Sequence, residues 1–319
     1  MDVGRVTALV LLDLSSAFDT IDHTILTSRL QSLEVNDAAL KWFTSYLADR
    51  QQAVNINGVL SAPASLNCGV PQGSVGGPLL FTIYISPLTQ IIKKHNLQYH
   101  LYADDIQLYQ SFTPSQPNAV SALEKLEACI DDIKTWMLAN SLKLNDSKSE
   151  FILCGSKQQL AKFNIPSIRI GHCHIYPSNK CRNLGITFDS HMSHVNQIEA
   201  VSKSVRFHLR NLGFIRKYLN CTATKQIVHA FITSRLDFCN ALLYNLPQHQ
   251  INKLQRLQNA TARLITLTRR STHITPVLKS LHWLPIIDRI AFKILILVFQ
   301  SLQGNSPDYM TDIISRHLP

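Results

Sequence analysis

No part of the chain supplies the ~20 consecutive apolar residues of a membrane-spanning helix. The longest apolar runs, such as Ile294 to Phe299, stop far short of that length. Thr7 to Leu12 is too short for the core of a signal peptide, and Asp13 closes it. Cysteine is sparse: the seven are odd in number and scattered, which excludes a disulfide framework and predicts reduced thiols in an intracellular protein. His172, Cys173, His174 and Cys181 cluster, but not at the spacing of a usual zinc site, so no zinc is expected there. Internal repeats, low-complexity tracts and long linkers are also lacking.

Acidic residues are scarce in one half only. Residues 1–150 hold 10 Lys+Arg against 15 Asp+Glu, whereas residues 151–319 hold 21 against 6. The 319-residue chain therefore carries +10 overall, −5 in its first half and +15 in its second. Charge divided in this way points to a polyanionic partner for the basic half. With 45% apolar and 16% charged residues the composition is globular rather than disordered.

Val6 to Leu14 reads as a buried strand ending in a carboxylate. Asp22 can cap a helix running to about Leu33, and a second helix follows Asn36, with Leu40, Phe43 and Leu47 on one face. Asn57-Gly58 between two short apolar stretches is a hairpin signal. Gly69 to Gly77 is a glycine-rich loop, after which Pro78 suits the first turn of a helix expected to reach Lys94. Leu97 to Tyr102 and Ile106 to Tyr109 form two strands joined through Ala103-Asp104-Asp105. Ala119 to Asn140 is an amphipathic helix, and Phe151 to Cys154 and Leu184 to Phe188 are further strands. From Val195 the pattern is helical almost throughout, which places a domain boundary between residues 1–194 and 195–319.

An aspartate at the end of a buried strand, such as Asp13, is costly unless compensated. Asp104 and Asp105 are two repelling acids in the turn of an otherwise apolar hairpin. Bound divalent cations would reverse that balance. Carboxylates from two such sites can hold metals ~3.5–4 Å apart, which activate a hydroxyl and stabilise a leaving pyrophosphate. Taken alone, an Asp-Asp turn is ordinarily only a turn, and spacing does not decide between these readings.

The motifs themselves carry a resemblance. Leu12-Asp13-Leu14-Ser15-Ser16-Ala17-Phe18-Asp19, Gly69-Val70-Pro71-Gln72-Gly73-Ser74 and Tyr102-Ala103-Asp104-Asp105 resemble, in order, the first three motifs of reverse transcriptases. Asn145, Lys148, Ser149 and Glu150 resemble the fourth. The stretch from Asn183 to Asp189 resembles the approach to the primer grip. Trp136-Met137 and His282-Trp283-Leu284-Pro285 extend the similarity to the non-LTR (LINE-type, jockey/CR1-like) retrotransposon enzymes over nearly the whole chain.

The resemblance implies an α+β fold: a right-hand polymerase palm, an antiparallel sheet with packed helices, followed by a mainly α-helical thumb and C-terminal region. It implies RNA-directed DNA polymerase activity with two Mg²⁺ ions, Mn²⁺ being a substitute. The partners would be an RNA template, a DNA primer and dNTPs, with no membrane, and the need to meet chromosomal DNA implies the nucleus. Asp13 and Asp104 would be the main metal ligands and Asp105 a weaker one, because neighbouring strand residues point apart. Phe18 would be the steric gate against the sugar C2′, and Gln72 and Gly73 would line the new base pair. Lys148 would serve as proton donor to pyrophosphate, and Tyr102 would pack under the primer end. Asp19 and Asp22 are read as cap or turn residues.

In the basic half, Lys203, Arg206 and Arg210 follow one another by three and four, opposite Ile198, Val205 and Leu212. Lys253, Arg256, Arg263 and Arg270 fall within roughly a 100° sector at helical pitch. Each stripe reads as a surface for a sugar-phosphate backbone or as a plain solvated face. The resemblance, which makes this region the thumb, favours primer-template binding. About five phosphate contacts would give a log–log salt slope of roughly −4 to −5.

Two departures from the family pattern stand out. Asp13 lies so near the start that an upstream fingers region and an endonuclease domain are not expected, which reads as N-terminal truncation, and no Cys/His knuckle is read towards the C-terminus. A truncated, inactive relic that only binds primer-template is the alternative to an active polymerase. Gly76 also stands where a larger apolar residue is expected. An RNA-dependent RNA polymerase would share paired aspartates, but Phe18 argues against it. An unrelated metal hydrolase would need His or Glu ligands beside the aspartates, and none is there.

Overall fold

In the computed structural model, which describes residues 4–314, strand β1 (Val6–Leu12) is the centre of the first region. Its alternate residues Val6, Ala8, Val10 and Leu12 are buried on one face, the period-2 pattern of a strand with unequal faces. β1 pairs antiparallel on one side with β7 (Asp105–Phe112) and on the other with β8 (Glu150–Cys154). With β6 (Gln98–Tyr102) outside β7, the sheet order is β6-β7-β1-β8. Between β1 and β6 lie two small antiparallel pairs: β2 (Gln51–Gln52) with β5 (Ala64–Ser65), and β3 (Asn55–Ile56) with β4 (Val59–Leu60) around Asn57-Gly58. Asn57 and Gly58 both take positive φ, 51° and 87°, as a tight hairpin turn requires.

Helices pack beside the sheet. In α1 (His23–Ser32) the Asp22 carboxylate accepts from the Thr24 and Ile25 backbone N–H groups at 2.8 and 3.0 Å, an N-cap. After α2 (Asp37–Leu47), the helix expected to run to Lys94 is two: α3 (Gly77–Ile85) and α4 (Leu88–Lys94). The break is at Ser86-Pro87, where proline has no N–H to continue the ladder and Ser86 Oγ donates to the Ile83 carbonyl at 2.9 Å. Helix α5 (Gln116–Ala139) starts three residues earlier than the apolar pattern indicates, because Ser115 and Pro117 suit the polar first turn. Ala122, Leu126, Cys129, Ile133 and Met137 form its buried face.

Tyr84, fully buried, ties three of these helices: its hydroxyl donates to the Asn140 carbonyl at 2.7 Å and accepts from the Asp22 N–H at 3.3 Å. Arg29 lies 4.7 Å over the Tyr84 ring and 5.1 Å over Trp136, and donates to the Asn140 side chain.

Beyond a 3₁₀ turn at Asp146–Lys148 and a short α6 (Lys157–Leu160), a hairpin of β9 (Ile168–Ile170) and β10 (Cys173–Ile175) appears. It is too short for periodicity to mark it. Its turn passes over an ion pair, Lys134 Nζ to Asp146 Oδ2 at 2.6 Å. Gly171 takes φ +59°, and a Cβ there would lie 2.1 Å from that nitrogen, so a side chain would be strained and would push the pair aside. Strand β11 (Lys180–Asn183) follows.

The chain divides into two units. The first runs to Leu184 and includes Ser190–Met192; the second comprises Gly185–Asp189 and the chain from Ser193. The second unit holds β12 (Ile186–Asp189) and is otherwise helical: α7 (Val195–Ile215), α8 (Cys221–Val228), a π turn (His229–Thr233), α9 (Ser234–Asp237), α10 (Gln248–Thr266), α11 (Ile274–Ser280), α12 (Ile286–Leu302) and α13 (Asp308–Thr311). Ile198, Val205, Leu212, Ile232, Leu254 and Ile290 are among its core. The whole is an α+β protein with a four-stranded antiparallel sheet. No helix among the described residues is long and apolar enough to cross a membrane. None of the seven cysteines forms a disulfide.

Candidate active site and nucleic-acid interface

Backbone pairing positions the acids of the first unit. Leu12 pairs with Ile106, so one step further Asp13 comes opposite Asp105 at the end of the sheet. Tyr102 pairs with Asp105, leaving Ala103 and Asp104 as the turn. Ala103 takes φ +51°, a region usually left to glycine. The strand path continues past Asp13 by pairing with a distant segment. The Asn145 N–H donates to the Asp13 carbonyl at 2.8 Å, and the Ser15 N–H donates to the Lys143 carbonyl at 2.9 Å.

The three carboxylates feel one another. Burial, then the charges of Asp104 and Asp13, hold the Asp105 carboxyl above the usual carboxylate range. Among the described residues, no group of three or more His, Cys, Asp or Glu side chains is gathered at metal-ligand distances. The donor chemistry nonetheless suits a hard divalent cation: carboxylate oxygens only, mutually repelling and on the surface side of an apolar sheet.

A cleft of about 430 Å³ opens beside this edge, lined by Ser16, Phe18, Gln72, Gly73, Ser74 and Asp104 among others. Its two loops are zipped together. The Val70 N–H donates to the Phe18 carbonyl at 2.9 Å, the Gly69 N–H donates to Ile21 at 2.7 Å, and His23 Nε2 bonds the Gly69 carbonyl at 2.7 Å. Gly69 sits at φ +87°, and a Cβ there would lie 2.9 Å from the Asp19 carbonyl oxygen. The approach of the loops therefore depends on glycine. Phe18 packs on Phe81 with ring centroids 5.0 Å apart. Gln72 Nε2 donates to both Asp19 carboxylate oxygens, at 2.9 and 3.1 Å.

The structure thus brings Phe18, Gln72, Gly73 and Asp104 to one cleft. It does not bring Lys148 into the lining: that residue is exposed on the 3₁₀ turn after Asn145. Tyr102 is 66% exposed at the end of β6. Two residues have a part here that the sequence did not indicate. Asp19 holds Gln72 from the side, and the buried Gln107 amide donates to Asn183 Oδ1 at 2.9 Å, two residues from Asp105. A glutamine inside the apolar alternation of β7 was the available signal for the latter.

In the second unit, Lys203, Arg206 and Arg210 are exposed on one side of α7, away from its buried Ile198, Val205 and Leu212. On α10, Arg256 is exposed and Lys253 half-buried. The rest of that stripe is corrected by the structure. The helix ends at Thr266 with Leu267 at φ +54°, so Arg270 lies beyond it and not on the same face. Arg263 donates to the Thr272 carbonyl at 3.1 Å, closing the loop after the helix. Arg216 donates to the carbonyls of Leu264, Ile265 and Leu219 at 2.9, 2.8 and 2.8 Å, which caps the end of α10. The His282–Pro285 stretch is held from α10: Gln258 donates to the Leu284 carbonyl, and Gln255 Oε1 accepts from the Ile286 N–H, both at 2.8 Å.

Comparison with known proteins agrees with the motif order. The family model described as "Reverse transcriptase (RNA-dependent DNA polymerase)" matches residues 2–188. A "Probable RNA-directed DNA polymerase from transposon BS" of Drosophila melanogaster is 27% identical over 267 residues, 81% of this chain and 28% of that protein. The "RNA-directed DNA polymerase from mobile element jockey" of Drosophila funebris is 22% identical over 264 residues, with 80% and 28% covered. The chain therefore spans 28% of the length of these curated relatives. Among solved structures, apo telomerase from Candida tropicalis aligns with a TM-score of 0.45 at 13% identity, over 89% of this chain and 46% of that one.

Proposed function

The chain belongs to the reverse transcriptase (RNA-dependent DNA polymerase) family, and on that premise we propose that it carries the polymerising core of a non-LTR retrotransposon. The reaction is attack of a DNA primer 3′-hydroxyl on the α-phosphate of a dNTP, directed by an RNA template, with pyrophosphate leaving. The observation that carries the reading is the cleft shared by Asp104, Phe18, Gln72 and Gly73. In this reading residues 1–194 act as palm with residual fingers elements, and residues 195–319 as a basic thumb.

Asp13 and Asp104, with Asp105 as the weaker donor, would hold two Mg²⁺ ions, Mn²⁺ being a substitute for the same all-oxygen set. Such ions, when bound, favour the primer alkoxide and neutralise the departing pyrophosphate. The side chains do the rest. Phe18, braced by Phe81, presents its ring to the sugar and leaves no room for a 2′-hydroxyl. Gly73, at φ +77° with nothing within 4 Å of a Cβ, lets backbone approach the base pair, and Gln72 is steadied beside it by Asp19. Lys148 supplies a proton to pyrophosphate from its exposed turn, and Tyr102 supports the primer end beside Asp105. Lys203, Arg206, Arg210, Lys253 and Arg256 take backbone phosphates of template and primer. The site of action would be where chromosomal DNA is, the nucleus.

The test is extension of oligo(dT) on poly(rA) with dTTP and Mg²⁺, run beside Asp104→Asn. Extension by the wild type alone supports the reading. Extension by neither protein, with salt-sensitive primer-template binding retained, overturns it for this chain.

A further inference from the structure

On the second unit a small cleft of about 160 Å³ lies between α7 and the π turn. Its volume is below the ~300 Å³ at which ordinary ligand pockets begin, so it suits a single planar ring. Ile215 and Ile227 give it apolar walls. The Phe231 ring is 46% exposed and stacks on His208, with centroids 5.3 Å apart at 30°. The extra residue of the π turn, a distortion common at functional sites, lies in the segment His229–Thr233 that carries Phe231. Arg235 sits 5.9 Å over the same ring and donates to the Phe231 carbonyl at 2.8 Å. The exposed Asn211 amide is the polar group at the rim. It offers one donor side and one acceptor side, the pairing a base edge needs.

The surroundings select the charge of the ligand. From Ala200 to Leu236 the sequence contains no Asp or Glu. Glu199, one turn before Lys203, is the nearest acid along α7. Along that helix Lys203, Arg206 and Arg210 are exposed together with Phe207 and Phe214, which are 61% and 67% exposed. At helical pitch these five residues fall within roughly a 100° sector. Cations interleaved with exposed aromatic rings track a single strand, whose phosphates pair with the cations while its bases stack. Duplex offers no free base faces to such a surface. Burial and the neighbouring Arg235 charge hold the His208 imidazole below its usual range, which keeps the ring neutral and suited to stacking.

We propose that this cleft takes one unpaired nucleobase of single-stranded RNA, packed against the exposed edge of the Phe231–His208 pair and hydrogen-bonded by Asn211, with Arg210 and Arg206 on the adjoining phosphates. The proposal deepens the polymerase reading and rests on it only for the identity of the strand. A proximal base held here would keep single-stranded template against the second unit.

The experiment is fluorescence anisotropy of the full chain with a labelled single-stranded RNA, the same sequence as DNA, and a blunt RNA–DNA hybrid. A second RNA carries 2-aminopurine, whose emission falls when its base stacks. The expected result is a preference for single-stranded RNA and quenching by the wild type. Phe231→Ala should weaken single-strand binding about 5- to 100-fold, with less than a twofold change on the hybrid, and Phe231→Tyr should restore it. Asn211→Ala, at an exposed position, gives a smaller loss of the same selectivity and guards against misfolding of the Phe231 variant. Equal losses on all three ligands, or no quenching, overturn the cleft. Equal binding of DNA and RNA overturns the RNA assignment. Primer extension is read on the same preparations. Absent extension with quenching intact counts against the polymerase reading and supports the cleft; extension with no single-strand selectivity does the reverse.

Discussion

The two units use charge in opposite ways. In the first, a few carboxylates are fixed by backbone ladders and stand at the end of a sheet. In the second, many cations are spread over helices, and the structure separates them into two groups. Arg216, Arg263 and Arg289 are engaged internally, on carbonyls or on Asp237, whereas Lys203, Arg206 and Arg210 are displayed. A motif held by pairing is therefore fixed by a regular backbone ladder, whatever the distance in sequence. A basic patch is specified only by what each side chain finds to bond.

The sharpest way to break the comparison is to remove an acid. Asp104→Asn should lower primer extension at least about a thousandfold, worth ~4 kcal/mol of transition-state stabilisation. It should leave the melting temperature unchanged or raised, since a repelling charge is gone. A mutant that loses fold and activity together would mean that Asp104 is structural.

Next in size is the contrast between two arginines. Arg216→Ala removes two charged hydrogen bonds to the end of α10 and a third to Leu219, and should cost about 3 kcal/mol in denaturant melts. Arg210→Ala should change stability by under ~0.5 kcal/mol and instead reduce the salt slope of nucleic-acid binding by about 0.9. If the two exchange behaviours, the division into engaged and displayed cations fails.

The glycines sharpen the comparison within the first unit. Gly69→Ala meets both a positive φ and the Asp19 carbonyl, so a loss of about 2 kcal/mol is expected. Gly76→Ala has open space and an ordinary φ of −80°, so it should gain about 0.4–1 kcal/mol through the unfolded chain. Thermal melts of the pair check both signs.

The smallest effect is one of pH. Because the folded Asp105 carboxyl is held above its ordinary range, its contribution to stability is fully present below the unfolded value. That contribution is lost as pH rises through the raised folded value. Asp105→Asn should therefore melt slightly higher than the wild type at pH 7, by at most about 2 °C for so exposed a group. The gap should close at acid pH.

Much of the first unit was legible because local chemistry and tertiary need coincide there. Asp22 caps a helix, Asn57-Gly58 turns a hairpin, and the alternation of Val6, Ala8, Val10 and Leu12 marks a strand. What escaped was set by distant partners. The Ser86-Pro87 break splits an apolar helical run whose periodicity continues across it. The β9 and β10 strands owe their existence to each other and to the Lys134–Asp146 pair under Gly171. Arg270 matched the helical sector only as long as the helix was assumed to continue past Leu267. Asp19 looked like a turn residue, and nothing local indicates that Gln72, far along the chain, comes to its carboxylate.

The order of the sheet also governs how the chain is made. β1 is central, yet it is synthesised first, and both of its neighbours come much later: β7 begins at Asp105 and β8 ends at Cys154. At ribosomal speeds of about 5–20 residues per second, the roughly 140 residues from Leu12 to Cys154 take on the order of 10–30 s to appear. Until β7 is complete at Phe112 an apolar strand, Val-Thr-Ala-Leu-Val-Leu-Leu, has two unsatisfied edges, and until Cys154 it has one, the condition under which nascent chains pair with the wrong partner. The same long-range closure that completes the aspartate edge therefore leaves β1 the strand of the sheet that waits longest for its partners and is most open to mispairing during synthesis.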